Sequence, residues 1–232
     1  VAIAVFIYKF IMNMENKLFS SVFQGSVRYN SYIFIALSSS YLGEIGVALS
    51  GIFIAVMIIF TNIISVIIMN IYGHSDKKGF QDICTKTISN PLILSALLGV
   101  FLNIMGASFE SIFLAEYLYY LGVVAMPLSL LSIGAGLVFK FDRTKKIAIS
   151  LSIFAKLILL PVFAILILNY IPIPINVKVI TVLYCAVPCA GNAYILSRQM
   201  GGDSDAMASI ITWGTMLSSI SIIAIMYYYY II

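Results

Sequence analysis

Residues 45–71, IGVALSGIFIAVMIIFTNIISVIIMNI, hold no charged side chain, and as a helix they exceed the ~30 Å hydrocarbon thickness of a bilayer. Six more apolar segments share the chain with this one, at roughly 19–42, 90–106, 112–139, 147–170, 176–199 and 205–231. Only 9% of the residues are charged and 62% are hydrophobic, with a mean hydropathy of +1.09. Soluble domains carry about 25% charged residues, so the polar surface here is too small to cover a water-soluble globule. Such long runs in lipid must satisfy their own backbone groups, which makes them helices. The reading is an all-α polytopic membrane protein.

The run Val1–Met12 rises only ~18 Å as a helix, short of a full span. It has neither the basic start nor the small-residue cleavage site of a signal peptide. The expectation is a chain truncated at its N-terminus, beginning inside a span.

Orientation follows from the basic residues. Alternate connections hold Lys17 and Arg28, then Lys77, Lys78 and Lys86, then Lys140, Arg143, Lys145 and Lys146, and finally Arg198; the opposite ones hold Glu44, Glu110 and Lys178. Positive charge concentrates on the cytoplasmic side, which puts the first set inside and the C-terminal YYYYII outside. The net charge of +4 is therefore a topological signal, not a nucleic-acid footprint. The chain divides into 1–71, a polar cytoplasmic loop 72–89, and 90–232.

One segment is interrupted at its centre. Residues 185–205 read CAVPCAGNAYILSRQMGGDSD. Pro188 removes a helix hydrogen bond and frees a carbonyl, Gly191 eases a turn, and Asn192 brings an amide that both donates and accepts. Non-helical backbone survives at membrane depth only where it lines a cavity or is buried in protein. A half-helix starting near Asn192 turns its N–H groups and dipole toward that break, which favours an anion.

A repeat strengthens this reading. Asn192-Ala193-Tyr194-Ile195 matches Asn30-Ser31-Tyr32-Ile33, and, after a three-residue offset, Gly202-Asp203 matches Gly43-Glu44. Five spans separate the copies, so the second is upside down relative to the first. Inverted repeats with interrupted helices are a construction of secondary transporters, with the substrate near the midplane.

Lys156 is the second anomaly, ~13 Å from the cytoplasmic end of its segment at helical rise. No Asp or Glu lies at similar depth. A buried charge of this kind is costly and usually functional; a structural lysine bonded to kinked backbone near Pro161 is the alternative. Cys84, Cys185 and Cys189 read as small packing residues without a metal-ligand pattern, and His74 as a solvated loop residue. Asp203 and Asp205 fit N-cap positions for the last helix. No hydrolase, zincin or nucleotide-binding pattern occurs, so no enzyme chemistry, cofactor or metal site is expected.

Taken together, the motifs resemble the auxin efflux carrier family, whose bacterial members are often labelled malate or malonate permeases. The resemblance rests on Phe23–Asn30 with Leu42–Gly46, Asn90–Leu94, Met126-Pro127-Leu128 through Gly134-Ala135, Ala155-Lys156-Leu157 through Pro161, and Val187-Pro188 through Asp203. It implies ten spans in two inverted five-span repeats, of which this chain holds about eight, with broken helices at 19–42 and 176–199 that cross at the transport site. It also implies Asn30, Pro188, Asn192 and Tyr194 as crossing residues. The chain departs from the family pattern at Ile35, Leu37 and Ile59, where glycine or proline is usual, while Asn62 is kept; this predicts a less broken first crossing.

The function expected is secondary active transport of small organic anions, such as carboxylates, across the cell membrane. The substrate-binding candidates are Asn30, Lys156, Pro188, Gly191, Asn192 and Tyr194. H+ or Na+ is the candidate coupling ion, the bilayer is the other partner, and a homodimer is left open. Rival readings are a sodium- or proton-coupled symporter of related fold, and a non-transporting sensor or inactive remnant.

Overall fold

Among the described residues of this computed structural model every regular element is helical. These residues are 1–73, 113–139 and 143–231, with scattered positions between 85 and 106. Lys77, Glu110 and His74, most of the loop 72–89 and much of the segment 90–106 lie outside them. The helices are α1 (Ala2–Met12), α2 (Asn16–Val27), α3 (Ser31–Tyr72), α4 (Phe113–Ala135), α5 (Lys146–Phe154), α6 (Leu160–Asn169), α7 (Ile175–Ala186), α8 (Asn192–Gln199) and α9 (Ser204–Ile231). By length and composition, the stretches Asn16–Tyr72, Arg143–Asn169 and Ser204–Tyr229 are able to cross a membrane; Ala2–Met12 and Ile175–Ala186 are shorter apolar helices.

α3 is a helical hairpin. Gly43 adopts φ +59°, ψ −137°, open to glycine without a Cβ penalty. Beyond it, Gly46 sits against the Ser38 carbonyl. A continuous helix would hold those positions about 12 Å apart, so the chain reverses at Gly43. The last helix also begins after a positive-φ glycine, Gly201 at φ +73°. Gly201 is one residue before the Gly202 that the sequence repeat aligned with Gly43.

Close helix approach comes from small residues, as usual in bilayers. A Cβ on Gly25 would collide with Ser152 and Ile210, so α2 packs directly against α5 and α9. Ser152 Oγ donates to the Val22 carbonyl at 3.0 Å. Around this contact Phe19, Phe23, Ile149 and Ile210 form one buried cluster.

Two prolines leave carbonyls that other helices take up. Pro161 has no N–H for the Leu157 carbonyl four residues earlier, and the chain from Ala155 to Leu159 widens into a π turn. Ser221 of α9 donates to that carbonyl at 2.7 Å. Pro188 leaves the Tyr184 carbonyl in the same position, and Lys156 Nζ approaches it at 3.5 Å.

At one edge of the bundle the connections are tied together. The Asp203 amide donates to the Lys17 carbonyl at 3.3 Å, the Asp203 carboxylate pairs with Lys145 at 2.7 Å, and it caps α9 by accepting from the Ala206 N–H at 3.0 Å. The basic residues Lys17 and Lys145, expected on one side, do share this edge. Arg28, grouped with them from sequence, does not: it is 7% exposed, inside the bundle.

Candidate functional site

The interrupted segments meet at their breaks. α2 ends at Val27, and Arg28 turns extended (φ −71°, ψ 155°). α7 ends at Ala186, and Val187 is likewise extended (φ −67°, ψ 146°). The Asn30 amide then donates to the Pro188 carbonyl at 2.8 Å, joining the two breaks through their backbones. The first crossing is therefore fully broken, although Ile35 and Leu37 stand where breakers were expected. The break lies upstream, where the Asn30 side chain caps α3 by accepting from the Tyr32 and Ile33 N–H groups at 3.1 and 3.2 Å.

The second half-helix starts differently from the sequence expectation. Its first-turn N–H groups are not all unpaired: Ala193 donates to the Ala190 carbonyl at 3.1 Å and Tyr194 to the Gly191 carbonyl at 3.2 Å. The helix dipole is still directed at the break, but the free donors come from side chains.

A cavity of about 920 Å³ opens beside the crossing, walled by α4 and α9 and by the starts of α3 and α8. Asn30, Gly191, Asn192 and Tyr194 line it; Pro188 and Lys156 do not. Pro188 supplies the crossing backbone. Lys156, 2% exposed, sits behind, against the Tyr184 carbonyl and 5.3 Å from that ring's centroid. Asp205, on the first turn of α9, lines the cavity and is exposed there.

Arg28 is the residue the sequence reading missed. One terminal nitrogen donates to Asn62 Oδ1 at 2.8 Å and to Asn192 Oδ1 at 3.1 Å; the other reaches Gln24 Oε1 at 3.4 Å. No carboxylate contacts it among the described residues. The missed signal was depth: Arg28 stands two residues before Asn30, which the same reading had placed at the crossing.

The two cavity amides are fixed in orientation by their partners. A backbone N–H or a guanidinium only donates, so Asn30 and Asn192 must turn Oδ1 toward them. Each Nδ2 is then a free donor on a residue that lines the cavity, with no hydrogen bond to any described residue.

Residues 80–227 match the family model described as "Membrane transport protein". The chain belongs to this family, the auxin efflux carriers. No curated protein and no solved structure matches it. As a member of a transporter family, this auxin efflux carrier homologue is a membrane transport protein, in a family whose work is transport and not enzymatic. The family match begins after the first broken helix, so residues 16–73 add a half of the crossing that the match itself does not cover.

Proposed function

We propose that this protein is a secondary active transporter of small organic anions, with the substrate carboxylate held at the crossing by Asn30 and Asn192. One observation carries the reading: both amides use Oδ1 within the protein, which leaves Nδ2 without a partner among the described residues on two side chains that line the cavity. A site that presents donors suits an acceptor-only group, and an ionised carboxylate accepts without donating. The cavity, about 920 Å³, is within the range of small-molecule sites.

The inverted repeat of 1–71 and 90–232 fits the paired break-and-turn pattern of α2–α3 and α7–α9. In this scheme the basic edge at Lys17 and Lys145 faces the cytoplasm, the protein sits in the plasma membrane, and its C-terminus is outside. Gly191 gives the break its turn and Tyr194 forms part of the wall. Lys156 adds positive potential from behind the crossing.

The test is uptake by proteoliposomes holding the full-length protein. Radiolabelled acetate, benzoate and succinate are compared with acetamide and methylammonium. Saturable uptake of at least one carboxylate, above empty liposomes, is expected. Equal flux of carboxylates and amides, or no flux above empty liposomes, overturns the proposal.

A further inference from the structure

Arg28 poses a problem of charge. It is buried and its three contacts are neutral amide oxygens. Arginine stays charged in proteins, and a buried cation without an opposite charge is expensive. Amide dipoles solvate it but do not neutralise it. Asn62, the residue that accepts its shortest hydrogen bond, also has a buried Nδ2 with no partner among the described residues. The cluster is built around a charge that nothing in the described protein balances.

Its geometry shows where the missing charge belongs. Asn192 stands between Arg28 and the cavity, with Oδ1 on the guanidinium and the residue itself on the cavity wall. A ligand oxygen bonded to Asn192 Nδ2 would lie within about 8 Å of the guanidinium. The exposed Asp205 also lines the cavity, at the start of α9, and is the opposing charge at this wall.

We infer that Arg28 is the positioning residue that sets the cavity's charge preference: its guanidinium holds Asn192 with the amide donor outward and makes the cavity electropositive, so that an anion completes the cluster. The inference deepens the transport proposal and rests on it for the identity of the ligand. The potential is measurable without any ligand. Arg28 is a positioning residue because it acts through Asn192.

The experiment reads local potential from thiol chemistry. With the native cysteines replaced by alanine, Ile195→Cys places a reporter on an exposed residue of the cavity wall. Tyr170→Cys, at a residue 89% exposed just after α6, serves as reference. The rates of a sulfonatoethyl and a trimethylammonioethyl methanethiosulfonate give an anion-to-cation ratio, and comparison between variants cancels intrinsic reactivity.

One charge at this distance changes a local ion concentration by about tenfold. The ratio at Ile195→Cys should therefore fall by about tenfold or more in Arg28→Gln and be largely kept in Arg28→Lys. An unchanged ratio in Arg28→Gln overturns the inference. Should Arg28→Gln not fold, the parent decides: a ratio no higher at Ile195→Cys than at Tyr170→Cys overturns it equally. The positioning role has its own readout, because Arg28→Lys keeps the charge but not the guanidinium whose one terminal nitrogen bridges Asn62 and Asn192 while the other reaches Gln24. A raised KM with unchanged maximal rate for the transported carboxylate supports positioning, and wild-type KM contradicts it. An Arg28-dependent ratio without carboxylate flux leaves Arg28's role standing and removes the transport proposal; flux with an Arg28-independent ratio does the reverse.

Discussion

The two halves of the crossing are built from different materials. Where α3 and α7 run together, Tyr29, Phe34, Phe53 and Tyr184 pack with neighbouring ring centroids 4.6–6.3 Å apart, within an apolar cluster that includes Ile180 and Leu183. Where α2 and α8 run together, the contact is a chain of side-chain hydrogen bonds. It passes from Asn192 through Arg28 and Gln24 to Ser197, then to Ser21, at 3.1–3.4 Å per link. Interlocked aromatic rings have one good arrangement, because packing is lost with small shifts. Polar contacts between membrane helices average only about 0.6 kcal/mol, and their donors find other acceptors. The aromatic half is suited to hold the crossing together, and the polar half to rearrange around a ligand.

This contrast has direct consequences. The largest stability effect belongs to the aromatic half: Phe34→Ala removes a fully buried ring and should cost about 3–5 kcal/mol, read as a lower melting temperature in detergent. Protein that folds should keep its apparent affinity for substrate. Asn192→Leu should do the opposite. It removes a charge-linked hydrogen bond of about 1.5–3 kcal/mol and weakens carboxylate affinity about ten- to hundredfold in uptake assays, with a smaller change in melting temperature. If the two variants exchange these phenotypes, the division between the halves is wrong.

Lys156→Met lies between them. It removes the donor at the Tyr184 carbonyl, and a carbonyl left unpaired costs about 1–3 kcal/mol. A stability loss should therefore accompany any drop in affinity; a drop in affinity alone would instead place Lys156 in contact with the substrate. The smallest effect is expected from Ser21→Ala at the end of the polar chain. Ser197 keeps Gln24 as a partner, so melting temperature and affinity should both stay near wild type, the loss not exceeding about 1 kcal/mol.

How far the sequence revealed this differs between the same two regions. The break at Pro188–Asn192 was legible because proline and glycine act locally, through a missing N–H and a permissive backbone. A break within 19–42 and a place for Asn30 at the crossing were also expected, but its position at Arg28–Asn30 was not, because it rests on the Asn30 cap and on a bond to Pro188 from the other end of the chain. Looking for proline at Ile35 and Leu37 directed attention downstream of it. The depth of Lys156 was readable, but the only backbone partner the sequence offered for it, as the alternative to a functional charge, lay near Pro161, and the observed one is the carbonyl released by Pro188. That link needed the π turn at Ala155–Leu159 to neighbour α7, which no local pattern states. Arg28 was misassigned for a related reason: a charge near a break resembles a charge in a loop until the break is known to be buried.

Substrate protection shows whether the crossing amides hold a carboxylate. In the cysteine-replaced background, Ile195→Cys is labelled with a neutral methanethiosulfonate while succinate or succinamide is titrated. Expected are saturable slowing of labelling by succinate, little effect of succinamide, and a shift of the succinate midpoint by about ten- to hundredfold when Asn192→Leu is added. Equal protection by acid and amide, or a succinate midpoint unmoved by Asn192→Leu, would contradict carboxylate binding by these amides.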